Sequence, residues 1–99
     1  MNQIIAAYYC NTQEIPQACV NVFSLGVEII EREYKTSINC NMNHNKQDNK
    51  AELTILNFPQ QDWFTDLDLR ETIVYKLSTH FKICLEHFIT DNENKLEIA

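Results

Sequence analysis

The spacing of the apolar residues changes three times along this chain, and these changes restrict the folds that it can adopt. Residues 3–10 are apolar at odd and even positions alike. Apolar residues then recur at i, i+3, i+4 and i+7, the spacing of one helix face; they are Ile15, Ala18, Cys19, Val22, Phe23, Gly26, Ile29 and Ile30. Residues 35–43 alternate between polar and apolar, as in a half-exposed strand. A second helical stripe runs from Leu67 to Phe88.

The remaining segments complete a predicted order of elements. Residues 3–10 fit a strand that is partly covered on both faces, and a short helix is the alternative because two adjacent alanines favour it. Residues 50–58 are predicted to form a hairpin with 35–43, and 95–99 permit a short closing strand. The order is then β-α-β-β-α, with a closing β permitted, which is that of a ferredoxin-like α+β domain.

This arrangement predicts a single domain over residues 1–99, with two amphipathic helices on one face of an antiparallel sheet. The other sheet face is expected to meet solvent or a partner. Pro16 fits only the first turn of a helix, so the first helix is predicted to begin near residues 13–15. The second helix is predicted to begin near Thr65 or Asp66 and to end at about Thr90.

The chain has a single glycine, and this excludes several classes of enzyme. P-loops, GxGxxG turns and GxSxG elbows each need at least two glycines in one tight turn. Gly26 itself lies on the apolar stripe in the middle of the first helix, where glycine costs about 1 kcal/mol relative to alanine. It is therefore predicted to mark close packing against another element.

Charge and cysteine spacing restrict the partners and the compartment. Fourteen acidic and eight basic residues give a formal charge of −6, which repels nucleic acid and attracts cationic proteins. The apolar run from Ile4 to Tyr9 is too short for a signal peptide or a membrane span. The four cysteines include no CxxC pair. We expect a cytoplasmic protein with reduced thiols that binds neither nucleic acid nor membranes.

The best candidate for a metal site is a group on the second helix. His80, Cys84 and His87 project within about 60° of one another on a helix, and imidazole and thiolate are zinc and copper ligands. Large apolar residues lie beside them in the sequence, so we interpret the three as one border of the core stripe. The sequence therefore predicts no metal, with these residues as the candidates if one binds.

The same helix also offers the spacing of a cysteine nucleophile and its base. Cys84 and His80 lie four residues apart, which satisfies that spacing alone. The sequence suggests neither a third group to orient the histidine nor an oxyanion site. We therefore expect that the protein is not an enzyme and carries no cofactor.

The segment 62–68 has the composition of an aromatic anchor ringed by charge. Its candidate partner-binding residues are Asp62, Trp63, Phe64, Asp66 and Asp68. In the alternative interpretation, Phe64 packs onto Leu69 as a hydrophobic staple and Trp63 shields the helix end. A second acidic group, Glu28, Glu31 and Glu33, is interpreted as a solvated helix face.

These features favour a small acidic, non-enzymatic protein-binding module that inhibits or neutralises a basic protein, as immunity proteins, antitoxins and phage-encoded inhibitors do. The alternative is a ferredoxin-like oligomerisation or small-ligand-binding regulatory domain. In that case the open sheet face would form a homodimer or bind a metabolite.

Overall fold

Four strands and three helices make up the part of the chain that the computed structural model describes, residues 2–10, 14–56, 62–88 and 97–98. They are β1 (Gln3–Tyr9), α1 (Gln17–Tyr34), β2 (Cys40–Asn45), β3 (Lys50–Ile55), α2 (Asp62–Thr65), α3 (Leu67–Phe88) and β4 (Glu97–Ile98). The protein is a small α+β domain, which confirms the predicted class. The predicted element ends at residues 58 and 90 lie outside the described residues.

The sheet is built on three antiparallel strands, and the two-residue β4 pairs with the end of β1. The strand order is β2-β3-β1-β4. Ala6 and Met42 both lie opposite Leu53, so these three side chains share one face of the sheet. The strand predicted at 3–10 and the hairpin are confirmed, and the helical alternative for 3–10 is wrong. The ferredoxin-like assignment itself stays a prediction.

Strand β2 begins at Cys40, five residues later than predicted, because the end of α1 uses the intervening backbone. Lys35 ends α1 in the left-handed conformation, with φ of 52°, and its N–H donates to the Glu31 carbonyl. Thr36 N–H donates to the same carbonyl, and Ile38 N–H donates to the Glu31 carboxylate at 2.8 Å. The amides of Lys35 and Thr36 are thus engaged by the helix end, so they are not part of the ladder with β3.

Each long helix begins at a residue that accepts amide hydrogen bonds from its first turn. The carbonyl of Pro16 accepts from Cys19 and Val20, and α1 starts at Gln17, later than the predicted 13–15, because Pro16 keeps an extended ψ of 144°. The carboxylate of Asp66 accepts from Leu69 N–H at 3.1 Å, which confirms Asp66 as the start of α3.

Both long helices pack on the face of the sheet that carries Leu53. Phe23 of α1 and Tyr8 of β1 contact the ring of Phe81 on α3, with centroids 5.9 and 5.8 Å apart. Lys76 of α3 binds Glu33 near the end of α1 at 3.0 Å, so the helices run antiparallel. Neither α1 nor α3 combines the length and apolarity that a bilayer crossing requires.

The buried face of α1 is rotated relative to the predicted stripe. Its buried side chains are Cys19, Phe23, Val27 and Ile30. Val22 and Ile29, which the stripe included, are 40% and 63% exposed, whereas Val27, which it omitted, is buried. Apolar residues cover more than half of this helix, so the periodicity alone does not select the face that meets the sheet.

Candidate functional site

The structure places the two aromatic residues of segment 62–68 in the core. Trp63 is 1% exposed, and its Nε1–H donates to the Ser37 carbonyl at 3.0 Å. Phe64 is 5% exposed and packs edge-on against Trp63, with centroids 5.3 Å apart. An aromatic anchor needs a ring that a partner reaches. Neither ring is exposed here, so partner binding at this segment stays a prediction that rests on its aspartates alone.

Two acidic residues of segment 62–68 stabilise the start of α3. Asp66 caps the helix, and exposed Asp68 lies in its first turn, where the helix dipole favours a negative charge. Arg70 lies over the ring of Phe64 at 5.4 Å and brings a positive charge into the same region. The side chain of Asp62 lies outside the described residues. Helix capping and the helix dipole therefore account for Asp66 and Asp68.

His80 and Cys84 lie where α3 meets α1. Cys84 Sγ is 3.7 Å from His80 Nε2, and the imidazole stacks on Phe23 with centroids 5.3 Å apart and an interplanar angle of 16°. A Cβ at Gly26 would overlap this imidazole, which confirms close packing at the only glycine. His87 instead contacts Phe88 edge-on. Among the residues described, no three His, Cys, Asp or Glu side chains are arranged to hold a metal ion.

All four cysteines are present as thiols, and three of them have raised pKa values. Burial, with smaller contributions from Cys84 and Cys10, raises the pKa of Cys19 to about 11. Burial and the nearby charge of Glu31 raise the pKa of Cys40 to about 12. Burial also raises the pKa of Cys84. A nucleophilic cysteine needs the opposite shift, so the raised pKa of Cys84 does not support Cys84 and His80 as a catalytic pair.

These thiols predict a loss of stability at alkaline pH. The pKa of a thiol in the unfolded chain is about 8.5. In the folded protein the pKa is raised to about 11 for Cys19 and about 12 for Cys40. The unfolded chain therefore releases protons first. The thiol contribution is fully present below the unfolded pKa and is lost as the pH rises toward the folded values. Urea unfolding should give a free energy that falls between about pH 8 and pH 10.

The control for this prediction is Cys40→Ala, in which the tyrosines and lysines that titrate in the same range are unchanged. Its free energy of unfolding should fall less than that of the wild type over this pH range, because one of the raised thiols is gone. Parallel pH profiles for the two proteins would contradict the prediction.

A groove of about 300 Å³ lies between α1 and β2. Its apolar lining includes Val20, Phe23, Val27 and Met42. The charged side chains of its lining are those of Glu28, which is exposed, and Glu31, which is half-buried. Of the described residues that line it, none is a lysine or an arginine. The groove therefore combines an apolar lining with a purely negative charge.

Two other surfaces lack this combination. A second groove of about 310 Å³, between β1 and the start of α3, is lined by Arg70 and Glu71 together, so its charges oppose each other. The open sheet face is polar, with Lys50 lying 5.1 Å over the ring of Tyr9. On the same face, Asn45 donates to the Glu52 carboxylate at 3.2 Å. Its charges are thus also of both signs.

The acidic residues of the α1–β2 groove are visible in the sequence, but their setting is not. The charge pattern predicts a solvated helix face for Glu28 and Glu31, whereas the structure places β2 beside that face. The sequence feature that indicates this groove is that Glu28 and Glu31 lie on the same side of the helix as Val20 and Val27.

The chain matches no protein-family model, and comparison with curated proteins and with solved structures finds no significant similarity.

Proposed function

We propose that this protein is a non-enzymatic binding module that holds a basic protein partner in the groove between α1 and β2. The observation that carries the proposal is the lining of that groove, which is apolar but bears only the negative charges of Glu28 and Glu31. Apolar contact provides affinity at the centre of an interface. Charge complementarity selects the partner and accelerates association.

The electrostatics of the whole chain support the same partner class. A formal charge of −6 attracts cationic surfaces over a distance of roughly one Debye length. Within the groove, the charge of Glu31 contributes to the raised pKa of the Cys40 thiol, after the larger effect of burial. The negative potential therefore extends to the groove lining, where it acts on a bound side chain.

The finer role that we propose is inhibition or neutralisation of the basic partner, as immunity proteins, antitoxins and phage-encoded inhibitors perform it. Small size, net negative charge and the absence of catalytic sequence motifs support this role. For the fold we propose the ferredoxin-like arrangement, which the strand order β2-β3-β1-β4 and two helices on one sheet face support. We also propose a cytoplasmic location, because the cysteine spacing suits reduced thiols.

The test is charge reversal at the groove. The wild-type protein is first used to capture binding proteins from a lysate. A basic protein that is captured, and that binds the wild type again after purification, is then used in kinetic measurements. Glu28→Lys should slow its association about tenfold and flatten the salt dependence of that rate, because the acidic rim acts on the encounter. The matched control is Glu71→Lys, which makes the same change of net charge on α3, outside this groove.

The control variant should associate at close to the wild-type rate. If both variants slow association equally, net charge alone is responsible and the groove is not the site. A partner that carries a net negative charge would overturn the proposed function itself.

A second candidate function, self-association, is supported by one specific observation. Val22, Leu25 and Ile29 lie on one outward side of α1 and are between 40% and 63% exposed, and Ile83 on α3 is 57% exposed. A cluster of exposed apolar residues is typical of interaction surfaces. This surface is more apolar than the open sheet face, through which the sequence alone predicts a homodimer. A dimer in sedimentation experiments that Leu25→Glu disperses would favour this candidate.

A further inference from the structure

We infer that the basic partner binds by adding an extended segment as a new strand to the outer edge of β2. This inference rests on the proposed function and specifies the form of the partner. Strand β2 lies at the end of the sheet, and β3 is its only neighbouring strand among the described residues. The α1–β2 groove runs beside this edge and includes Cys40, Asn41 and Met42 in its lining.

The ladder between β2 and β3 determines which amides of β2 are directed outward. Leu56 N–H donates to the Asn39 carbonyl at 2.7 Å, so Asn39 and Leu56 form a hydrogen-bonded pair. Hydrogen-bonded pairs alternate along an antiparallel ladder. Asn41 and Asn43 therefore direct their N–H and C=O groups to β3. Those of Cys40, Met42 and His44 are directed to the free edge.

Glu31 marks where this edge begins. Its carboxylate accepts from Ile38 N–H at 2.8 Å, and Ile38 has the same parity as Met42, so this amide also belongs to the outward series. Among the described residues, no side chain of α1 accepts a hydrogen bond from the outward amides of Cys40, Met42 and His44. The bound carboxylate also places a negative charge beside the edge. A lysine or arginine of an added strand would meet Glu28 and Glu31 there.

Strand β2 lacks the features by which proteins usually protect a sheet edge. Its sequence, CNMNHN, contains no proline, lysine or acidic residue. Its register with β3 runs without interruption from Cys40↔Ile55 to Asn45↔Lys50, so no bulge twists the edge away. An edge with an uninterrupted register and no lysine or acidic residue, beside an apolar groove, suits strand addition, in which main-chain hydrogen bonds give affinity and the groove selects side chains.

The negative charge beside the β2 edge favours the addition of a strand from a basic partner over a strand from a second copy of this chain. Pairing of two β2 edges would bring the Glu28 and Glu31 carboxylates of both copies together, and each chain carries a formal charge of −6. Like charges at close range oppose that association. In an added strand every second side chain faces the groove, so a segment that carries both apolar residues and a lysine or arginine at these alternate positions satisfies the groove and its rim.

The test uses hydrogen exchange, because strand addition should protect the amides of alternate residues in β2 and leave the amides between them unchanged. The probe is a synthetic peptide that carries valines and lysines at the groove-facing positions, every second residue, and it is added to the ¹⁵N-labelled full chain. Exchange at the Cys40, Met42 and His44 amides should slow about tenfold or more when the peptide binds, since these groups gain hydrogen-bond partners. Exchange at Asn41 and Asn43 should change little, because these amides already bond to β3.

Two control peptides complete the experiment. The same peptide with N-methyl groups on one edge of its backbone should bind at least tenfold more weakly, because it cannot complete the ladder. The same peptide with glutamate in place of each lysine should not bind. Binding of the lysine peptide should weaken about tenfold in Glu28→Lys and remain unchanged in Glu71→Lys.

The outcomes distinguish this inference from the proposed function. If the lysine peptide and its N-methylated form bind equally, without protection of the outward amides, strand addition is overturned while the sensitivity to Glu28→Lys still supports a basic partner. Failure of the lysine peptide to bind at about millimolar concentration also overturns strand addition, and the proposed function is then judged by the kinetics of the captured partner. Preference for the glutamate peptide would overturn both.

Discussion

Replacement of Trp63 by alanine is expected to lower the free energy of unfolding by about 3–5 kcal/mol. The indole is 1% exposed, so its removal leaves a cavity that its neighbours fill only in part. Its Nε1–H also bonds the Ser37 carbonyl, which ties α2 to the connection between α1 and β2. The loss of this hydrogen bond adds to the cost of the cavity.

Urea denaturation followed by circular dichroism measures this change. Trp63→Phe should cost less than Trp63→Ala, because it keeps part of the ring volume and loses the hydrogen bond. Tyr75→Ala is the control, since Tyr75 is 70% exposed on α3 and should change stability by no more than about 0.5 kcal/mol. Wild-type stability in Trp63→Ala would contradict the buried indole and restore the interpretation of Trp63 as a partner-binding anchor.

The second large effect is expected at the contact between Gly26 and His80. Gly26→Ala gains about 1 kcal/mol of helix propensity, but the new methyl group overlaps the His80 imidazole. The imidazole can move only by giving up its stack on Phe23 and its contact with Cys84. Overpacking of this kind costs about 1–3 kcal/mol, so Gly26→Ala is expected to destabilise the wild-type protein.

The sign of this effect should reverse when the imidazole is removed. In a His80→Ala background, Gly26→Ala should stabilise the protein by about 1 kcal/mol, because only the gain in helix propensity remains. A double-mutant cycle of unfolding free energies measures the coupling, which should equal the overpacking cost of about 1–3 kcal/mol. Ser24→Ala, at an exposed position of α1, should have the same effect in both backgrounds. Equal effects of Gly26→Ala in both backgrounds would refute the contact.

The alternation and the helical spacing were sufficient to predict most of the elements, because both are local properties of the chain. Ala51, Leu53 and Ile55 alternate with polar residues, and the structure buries these three against the helices. The stripe of α3 likewise supplies buried Ile73 and Phe81. Capping was equally local, because the carboxylate of Asp66 bonds an amide only three residues away. These predictions needed no knowledge of distant contacts.

The candidate site could not be predicted in the same way, because it consists of contacts between segments that are distant in sequence. Trp63 is buried where its indole N–H bonds the carbonyl of Ser37, 26 residues earlier in the chain. The sequence shows only that an aromatic residue lies among aspartates. The α1–β2 groove exists because Met42 and Val27 line the same space. An acidic rim was visible in the sequence, but an apolar lining opposite it was not.

Local patterns in the sequence were enough to predict most helices and strands, and the composition gives the net charge of −6. The tertiary structure alone decided which apolar residues of α1 are covered: Val27 faces the groove, whereas Leu25 is 60% exposed. It also placed β2 at the edge of the sheet beside Glu31. The physical reason is that periodicity reports which side chains share a face, while burial depends on which other segment packs there.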